Sequence, residues 1–177
     1  MLNLRTLNWP VDRDALLALD TSFTTDRICR IAITEGSFAL EEERVAPLLR
    51  KVFDLGDDVE SLPDLDSVVV AEVEGRIVGL LALKHETWNR RAVIWHLYVD
   101  PSVRGQGIGR ALIEEAIQTA QRWSARCLWL ETQNINHGAI QFYRRLGFQW
   151  CGLDTTLYDP AGEAAGEIAL FFARPLS

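Results

Sequence analysis

Residues 94–116 read IWHLYVDPSVRGQGIGRALIEEA. Their order decides the architecture: an apolar run, a short turn, glycines at alternate positions, then helical periodicity. The amides that open a helix have no intrahelical acceptor and carry partial positive charge, so a glycine-rich helix start suits an anion. Gly105, Gly107 and Gly109 remove the side chains that would keep a pyrophosphate away from those amides. Arg104 and Arg110 can add charge-assisted contacts. The spacing is not that of a Walker A loop, since no Lys-Ser/Thr follows. Nor is it the dinucleotide fingerprint, because the third glycine comes one residue early and Arg110 stands in its place. Taken alone, the stretch is either a phosphate cradle or a structural turn.

Downstream, Ile108, Leu112, Ala116, Ile117 and Ala120 recur at three and four residues and predict a helix over 107–124. Leu128–Thr132 reads as a strand and 137–146 as a helix stopped by Gly147 at a left-handed position. Residues 148–158 and 166–174 read as closing strands. Upstream, Arg91–Val99 is apolar at nearly every position, as a central strand covered on both faces would be. Ser67–Glu74 and Arg76–Lys84 form a hairpin about Glu74-Gly75, and 27–34 with 37–45 another about Glu35-Gly36. Leu2–Leu7 alternates like a half-buried strand. Pro10 opens a helical stretch that turns Ala15, Leu16 and Leu19 inward, with Asp12 and Asp14 at its positive end. Six acids and no base lie between Asp54 and Asp66 (Asp54, Asp57, Asp58, Glu60, Asp64, Asp66), which reads as a solvated loop. Hairpins followed by strand–helix–strand–helix–strand predict an α+β fold, a mixed, mostly antiparallel sheet flanked by helices.

The 177 residues are 48% hydrophobic and 24% charged, which excludes a disordered chain, a collagen-like repeat and a coiled coil. One domain over 1–177 is expected. No apolar run approaches the roughly 18 residues of a membrane span. The opening MLNLRTLNWP has no charged segment before an apolar block, so the expectation is no signal peptide and a cytoplasmic location. Lys+Arg 18 against Asp+Glu 25 gives a net charge of −7, which argues against nucleic acid and favours a cationic ligand. Cys29, Cys127 and Cys151 show no CxxC spacing, and His85, His96 and His137 are scattered, so neither a disulfide framework nor a metal site is expected.

Arg104-Gly105-Gln106-Gly107-Ile108-Gly109 resembles the Gln/Arg-x-x-Gly-x-Gly/Ala motif of the GNAT superfamily of N-acetyltransferases, at the same place between strand and long helix. A second segment, Asn136-His137-Gly138-Ala139-Ile140-Gln141-Phe142-Tyr143 with Leu146-Gly147-Phe148, is similar to that family's N-x-x-A-x-x-x-Y…GF. The resemblance covers roughly residues 68–174 and implies the GNAT fold with acetyl-CoA as cosubstrate and no metal. It implies that Arg104–Arg110 hold the pyrophosphate and that the backbone of Leu97, Tyr98 and Val99 pairs with the pantetheine arm. Asn136 would contact that arm, and Tyr143 would stand near the sulfur as general acid.

Further blocks resemble the nourseothricin and streptothricin acetyltransferases within that superfamily: Leu19–Asp26 (LDTSFTTD), Lys51–Asp54 (KVFD), Trp88–Arg91 (WNRR), Leu128–Glu131 (LWLE) and Cys151–Thr155 (CGLDT). That likeness implies transfer of acetyl to an amine of the β-lysine part of streptothricin, with Trp88, Asn89, Asp154 and Tyr158 carried over as substrate-side residues. The partner expected is therefore a small cationic amine, bound by a monomer or homodimer. One position departs from the pattern, since the strand glutamate of those enzymes aligns with Trp95, which cannot accept a proton. Glu131 is the candidate base in its place, with His96 and water as alternatives. Acetylation of a polyamine, an aminoglycoside or a protein N-terminus, and a non-catalytic binding module, stay open at this point.

Overall fold

The computed structural model describes residues 1–56 and 58–176, and these form two compact units. The first comprises Met1–Ser22, Val52–Trp129 and the C-terminal residues from Pro175; the second comprises Phe23–Lys51 and Leu130–Arg174.

In the first unit, β1 (Leu2–Thr6) pairs antiparallel with β4 (Ser67–Val73), which returns through Glu74 (φ 52°) and Gly75 (φ 77°) as β5 (Arg76–Glu86). Two successive positive-φ residues give the two-residue turn whose twist matches the strands. Next comes β6 (Arg91–Val99), antiparallel to β5, so the strands run β1-β4-β5-β6, with the start of β7 (Cys127–Gln133) beyond. The helix α1 (Arg13–Leu17) supplies Leu16 to a core with Leu19, Leu55, Val59, Leu62, Val70 and Leu80. Each fully buried leucine contributes about 2 kcal/mol. The long helix α2 (Ile108–Arg122) buries Ile108, Leu112, Ile113, Ala116 and Ala120 and packs on β4, β5 and β6. Gly79 permits that approach: a Cβ there would lie 3.2 Å from Leu112 and 3.1 Å from the Tyr98 carbonyl.

Several expectations need correction. Ala15 is exposed, because the short helix buries only Leu16. The Asp12 carboxylate accepts from the Arg5 guanidinium (2.7 and 2.9 Å) and the Asn8 amide (2.7 Å) rather than capping its helix, and Arg5 holds it below the usual carboxylate range. The acidic stretch is not simply a solvated loop. Leu55, Val59 and Leu62, four and three residues apart, are buried beneath it, and Val59–Asp64 forms a 3₁₀ helix whose acids stay outside; Asp57 lies outside the described residues. Nor is β6 covered throughout. Its pairing with β5 passes from Ala82↔His96 to Leu83↔Ile94, so Trp95 is bulged out of register, and it is 52% exposed. A bulge re-aims the chain locally and breaks strict alternation.

In the second unit, β2 (Phe23–Thr34) and β3 (Ser37–Lys51) form a ribbon longer than the two strands expected, turning at Gly36 (φ 83°). The helix α3 (His137–Arg145) packs on β2, and its chain leaves through Gly147 (φ 84°). The strands β8 (Gln149–Asp154) and β9 (Ala169–Pro175) are antiparallel, in the order β7-β9-β8. Both are shorter than expected. Asp154 accepts the Thr156 amide at 2.7 Å and turns the chain out of β8, an Asx turn that competes with strand pairing. Buried Asn134 clamps the approach to β9: it exchanges backbone and side-chain hydrogen bonds with Ile168 (2.9 and 2.8 Å) and with Cys29 (2.8 and 3.0 Å). Among the described residues no helix is long and apolar enough to cross a membrane.

Candidate active site

The glycine loop is built by its neighbours in the first unit. Asp100 leaves β6 and accepts both the amide (2.9 Å) and hydroxyl (2.6 Å) of Ser102, while Arg76 reaches it at 3.0 Å. The Ser102 hydrogen bond and Arg76 hold its carboxyl low. Arg104 donates to the carbonyls of Val99 (2.9 Å) and Ser22 (2.7 Å). Its guanidinium therefore lashes the loop to the end of β6, where the sequence suggested an anion contact. Gly105 (φ 80°) and Gly107 (φ 87°) adopt left-handed conformations, and a Cβ at either would meet nothing within 4 Å. Gly107 is also the N-cap of α2 and supplies no side chain to its amides. The first turn thus presents Ile108, Gly109 and Arg110 amides beside open space. Gln106 and Arg110 are exposed, whereas the Ile108 side chain belongs to the core, so only its backbone faces this site.

Leu97, Tyr98 and Val99 are half-buried at the end of β6, and the Tyr98 ring lies 5.7 Å from Phe53 and 5.8 Å from His96. His96 is buried, its Nε2 has no hydrogen-bond partner among the described residues, and burial lowers its pKa against the opposing field of Asp58. The imidazole is neutral at pH 7 and a weak proton acceptor. The Trp95 ring already carries a cation, with Lys84 Nζ 5.3 Å from its centroid. Trp88, at the β5–β6 turn, is 84% exposed, while Asn89 accepts the Arg91 amide at 3.1 Å and shapes that turn.

In the second unit, Asn136 caps α3 by accepting the Ala139 amide at 3.2 Å, which accounts for its place in the motif even without a ligand. About two turns later, Tyr143 is 7% exposed, its ring edge-on to Phe148 (5.5 Å) and Phe142 (5.4 Å). Glu131, on β7, accepts a hydrogen bond from the Tyr158 hydroxyl. The structure therefore brings together two residues that the sequence had placed in separate roles, base and substrate contact. Asp154 does not join them, being committed to Thr156. Burial is the main force raising the Glu131 pKa, the charge of Glu167 adds to it, and Tyr158 with Lys51 oppose it. Burial and the Glu131 contact push the Tyr158 phenol up, so it stays protonated. Lys51, which opens the KVFD block but was given no role, is ion-paired with Glu167, which was not singled out from the sequence. Glu167 lies in no motif, and only the proximity created by folding singles it out.

Comparisons with known proteins identify the family of the chain. The family model described as Acetyltransferase (GNAT) family matches residues 28–148. Streptothricin acetyltransferase of Streptomyces lavendulae is 39% identical over 173 residues, covering 94% of this chain and 91% of that protein. The crystal structure of nourseothricin acetyltransferase superposes with a TM-score of 0.89 at 42% identity, covering 99% of both chains. A Bacillus anthracis str. Ames structure, described provisionally as a streptothricin acetyltransferase and solved with acetyl coenzyme A, gives 0.83 at 26% identity, again over 99% of both chains. The chain is an N-acetyltransferase and belongs to the acetyltransferase (GNAT) family.

Proposed function

We propose that this enzyme transfers acetyl from acetyl-CoA to an amine of a streptothricin-type antibiotic, at its β-lysine moiety, directly within a ternary complex, and so confers resistance. The observation that carries this reading is the extent of the likeness. The Streptomyces lavendulae relative matches 94% of the chain, well beyond the 28–148 of the family model. The likeness thus spans the segments that hold the acceptor-side blocks as well as the glycine loop. The whole chain is read as one acetyltransferase domain.

The donor set suits a pyrophosphate: uncapped helix amides beside open space at Gly105 and Gly107 act as fixed positive dipoles. When bound, acetyl-CoA supplies the thioester carbonyl that is attacked and the thiolate that leaves. The amides of Gly107, Ile108, Gly109 and Arg110 hold phosphate oxygens, and the side chains of Gln106 and Arg110 lie outside them. Arg104 acts on the loop rather than on the ligand. The backbone of Leu97, Tyr98 and Val99 pairs with the pantetheine arm, and the Val99 amide faces charge developing on the carbonyl oxygen. Asn136 fixes the start of α3, and Tyr143 Oη gives its proton to the departing sulfur. A lysine-like amine has a solution pKa of about 10.4, so its deprotonation at pH 7 costs about 4.6 kcal/mol. Glu131, with a raised pKa, accepts that proton. Trp88 and Asn89 shape the acceptor side, as does the turn at Asp154, and Tyr158 orients the base.

Thiol release is the direct test. Purified enzyme with acetyl-CoA is expected to liberate free thiol with streptothricin, and expression is expected to protect sensitive cells. Release only with a polyamine, an aminoglycoside or a peptide would overturn the substrate. Acetyl-CoA binding without any release would overturn catalysis.

A further inference from the structure

We infer that Glu167, together with Glu131, forms a seat for a second ammonium group of the acceptor, beside the amine that is acetylated. This deepens the amine-acceptor reading above and rests on it.

The argument starts from an unsatisfied atom. The Glu167 side chain is 9% exposed, and Lys51 Nζ donates to its Oε1. Its Oε2 is buried and has no hydrogen-bond partner among the described residues. A buried carboxylate oxygen left unpaired is unfavourable, and a donor supplied by a ligand would relieve it. Glu131 feels the charges of both Glu167 and Lys51, so the unpaired oxygen belongs to the same cluster as the proposed base, and a buried carboxylate is tolerated when paired.

The hydrogen bonds also select the kind of cation. A guanidinium binds best with two parallel bonds to both oxygens of one carboxylate. Here each carboxylate already has one oxygen engaged, Glu167 Oε1 by Lys51 and Glu131 Oε1 by Tyr158. What is offered is single oxygens, which suit the compact, three-donor head of a primary ammonium. The seat is also held in place. Glu167 follows Gly166 (φ 81°) and precedes Ile168, whose amide and carbonyl are both tied to Asn134. The ligand class is therefore an acceptor with two primary amines, one reacting and one anchored, with a guanidino group disfavoured.

The test compares β-lysinamide with its two monoamine analogues, each having one amine replaced by hydrogen, and with a guanidino analogue. Wild-type enzyme is expected to show a KM for the diamine at least about tenfold below that of the reactive monoamine, with the guanidino compound also poor. Glu167→Gln, which keeps the oxygen facing Lys51, is expected to raise the diamine KM about tenfold or more, to lower kcat far less, and to erase the diamine preference. Equal wild-type KM values for diamine and monoamine would overturn the inference without any variant. So would a folded Glu167→Gln enzyme that raises KM for both compounds alike, the mark of a merely structural role. Calorimetric titration of β-lysinamide onto enzyme saturated with CoA separates the two readings. Diamine-selective binding without turnover supports the seat while the transfer chemistry fails; turnover without diamine selectivity does the reverse.

Discussion

Glu131 works against its surroundings, and that makes it informative. Burial raises its pKa above the ordinary carboxylate value, so the folded protein is stabilised by keeping it protonated. The stabilisation is fully present below the unfolded-state pKa of about 4.3 and is lost as pH rises through the raised folded value. Catalysis needs the opposite, ionised form, so kcat/KM for the amine rises with pH across that same window. Glu131→Gln is expected to lower kcat/KM at least about tenfold and to flatten that rise, while melting no lower than wild type at pH 7. His96→Ala, which removes an already neutral ring, should change kcat/KM much less. A folded Glu131→Gln enzyme with an unchanged profile would return Glu131 to a structural role. Tyr143→Phe keeps the ring contacts with Phe142 and Phe148 and removes only the hydroxyl, so kcat is expected to fall about 100-fold with acceptor binding little affected. Wild-type turnover across the pH range would leave Tyr143 as a packing residue. At this scale the sequence revealed motif residues and hid partners. Tyr143 and Glu131 stood in recognisable segments, whereas Glu167 becomes visible only when the Asn134 clamp brings the start of β9 near β7.

At the scale of elements, short turns with steric demands were legible and irregular segments were not. Glu74-Gly75 and Glu35-Gly36 needed left-handed residues, which glycine supplies, so both hairpins could be read. The 3₁₀ helix was hidden because Leu55, Val59 and Leu62 sit among six acids, and composition outweighed periodicity. In the glycine loop, open space at Gly107 separates two effects in one experiment. Gly107→Ala carries only the cost of φ 87°, about 1–2 kcal/mol, whereas Gly107→Glu adds a carboxylate where a pyrophosphate belongs. By calorimetry the first should weaken acetyl-CoA binding modestly and the second should abolish it; equal affinities would place the pyrophosphate elsewhere. The Asn134 clamp is tested by Asn134→Ala, which strands the Cys29 carbonyl and the Ile168 amide in a buried setting. A loss of about 2–4 kcal/mol in urea unfolding is expected, against about 0.5 kcal/mol for a surface change.

For the molecule as a whole, the fold class followed from element order, since hairpins before helix-linked strands leave few arrangements. The net charge of −7 acts over distance rather than at a contact. Salt screens it within about 10 Å at 0.1 M, so raising ionic strength is expected to increase KM for a cationic acceptor several-fold. KM for the polyanionic acetyl-CoA should hold or fall. Initial rates over a salt series decide this, and parallel changes in both values would assign the effect to something other than the overall field. Finally, the bulge at Trp95 bears on chain length. Because Ala82 pairs with His96 and Leu83 with Ile94, Trp95 is a supernumerary residue on the β5 side of the sheet. Excising it would join two stretches of ladder that already agree, so β6 can lose one residue there while keeping every partner it has on β5. Removal of a neighbour such as Val93 would instead turn the end of the strand inside out.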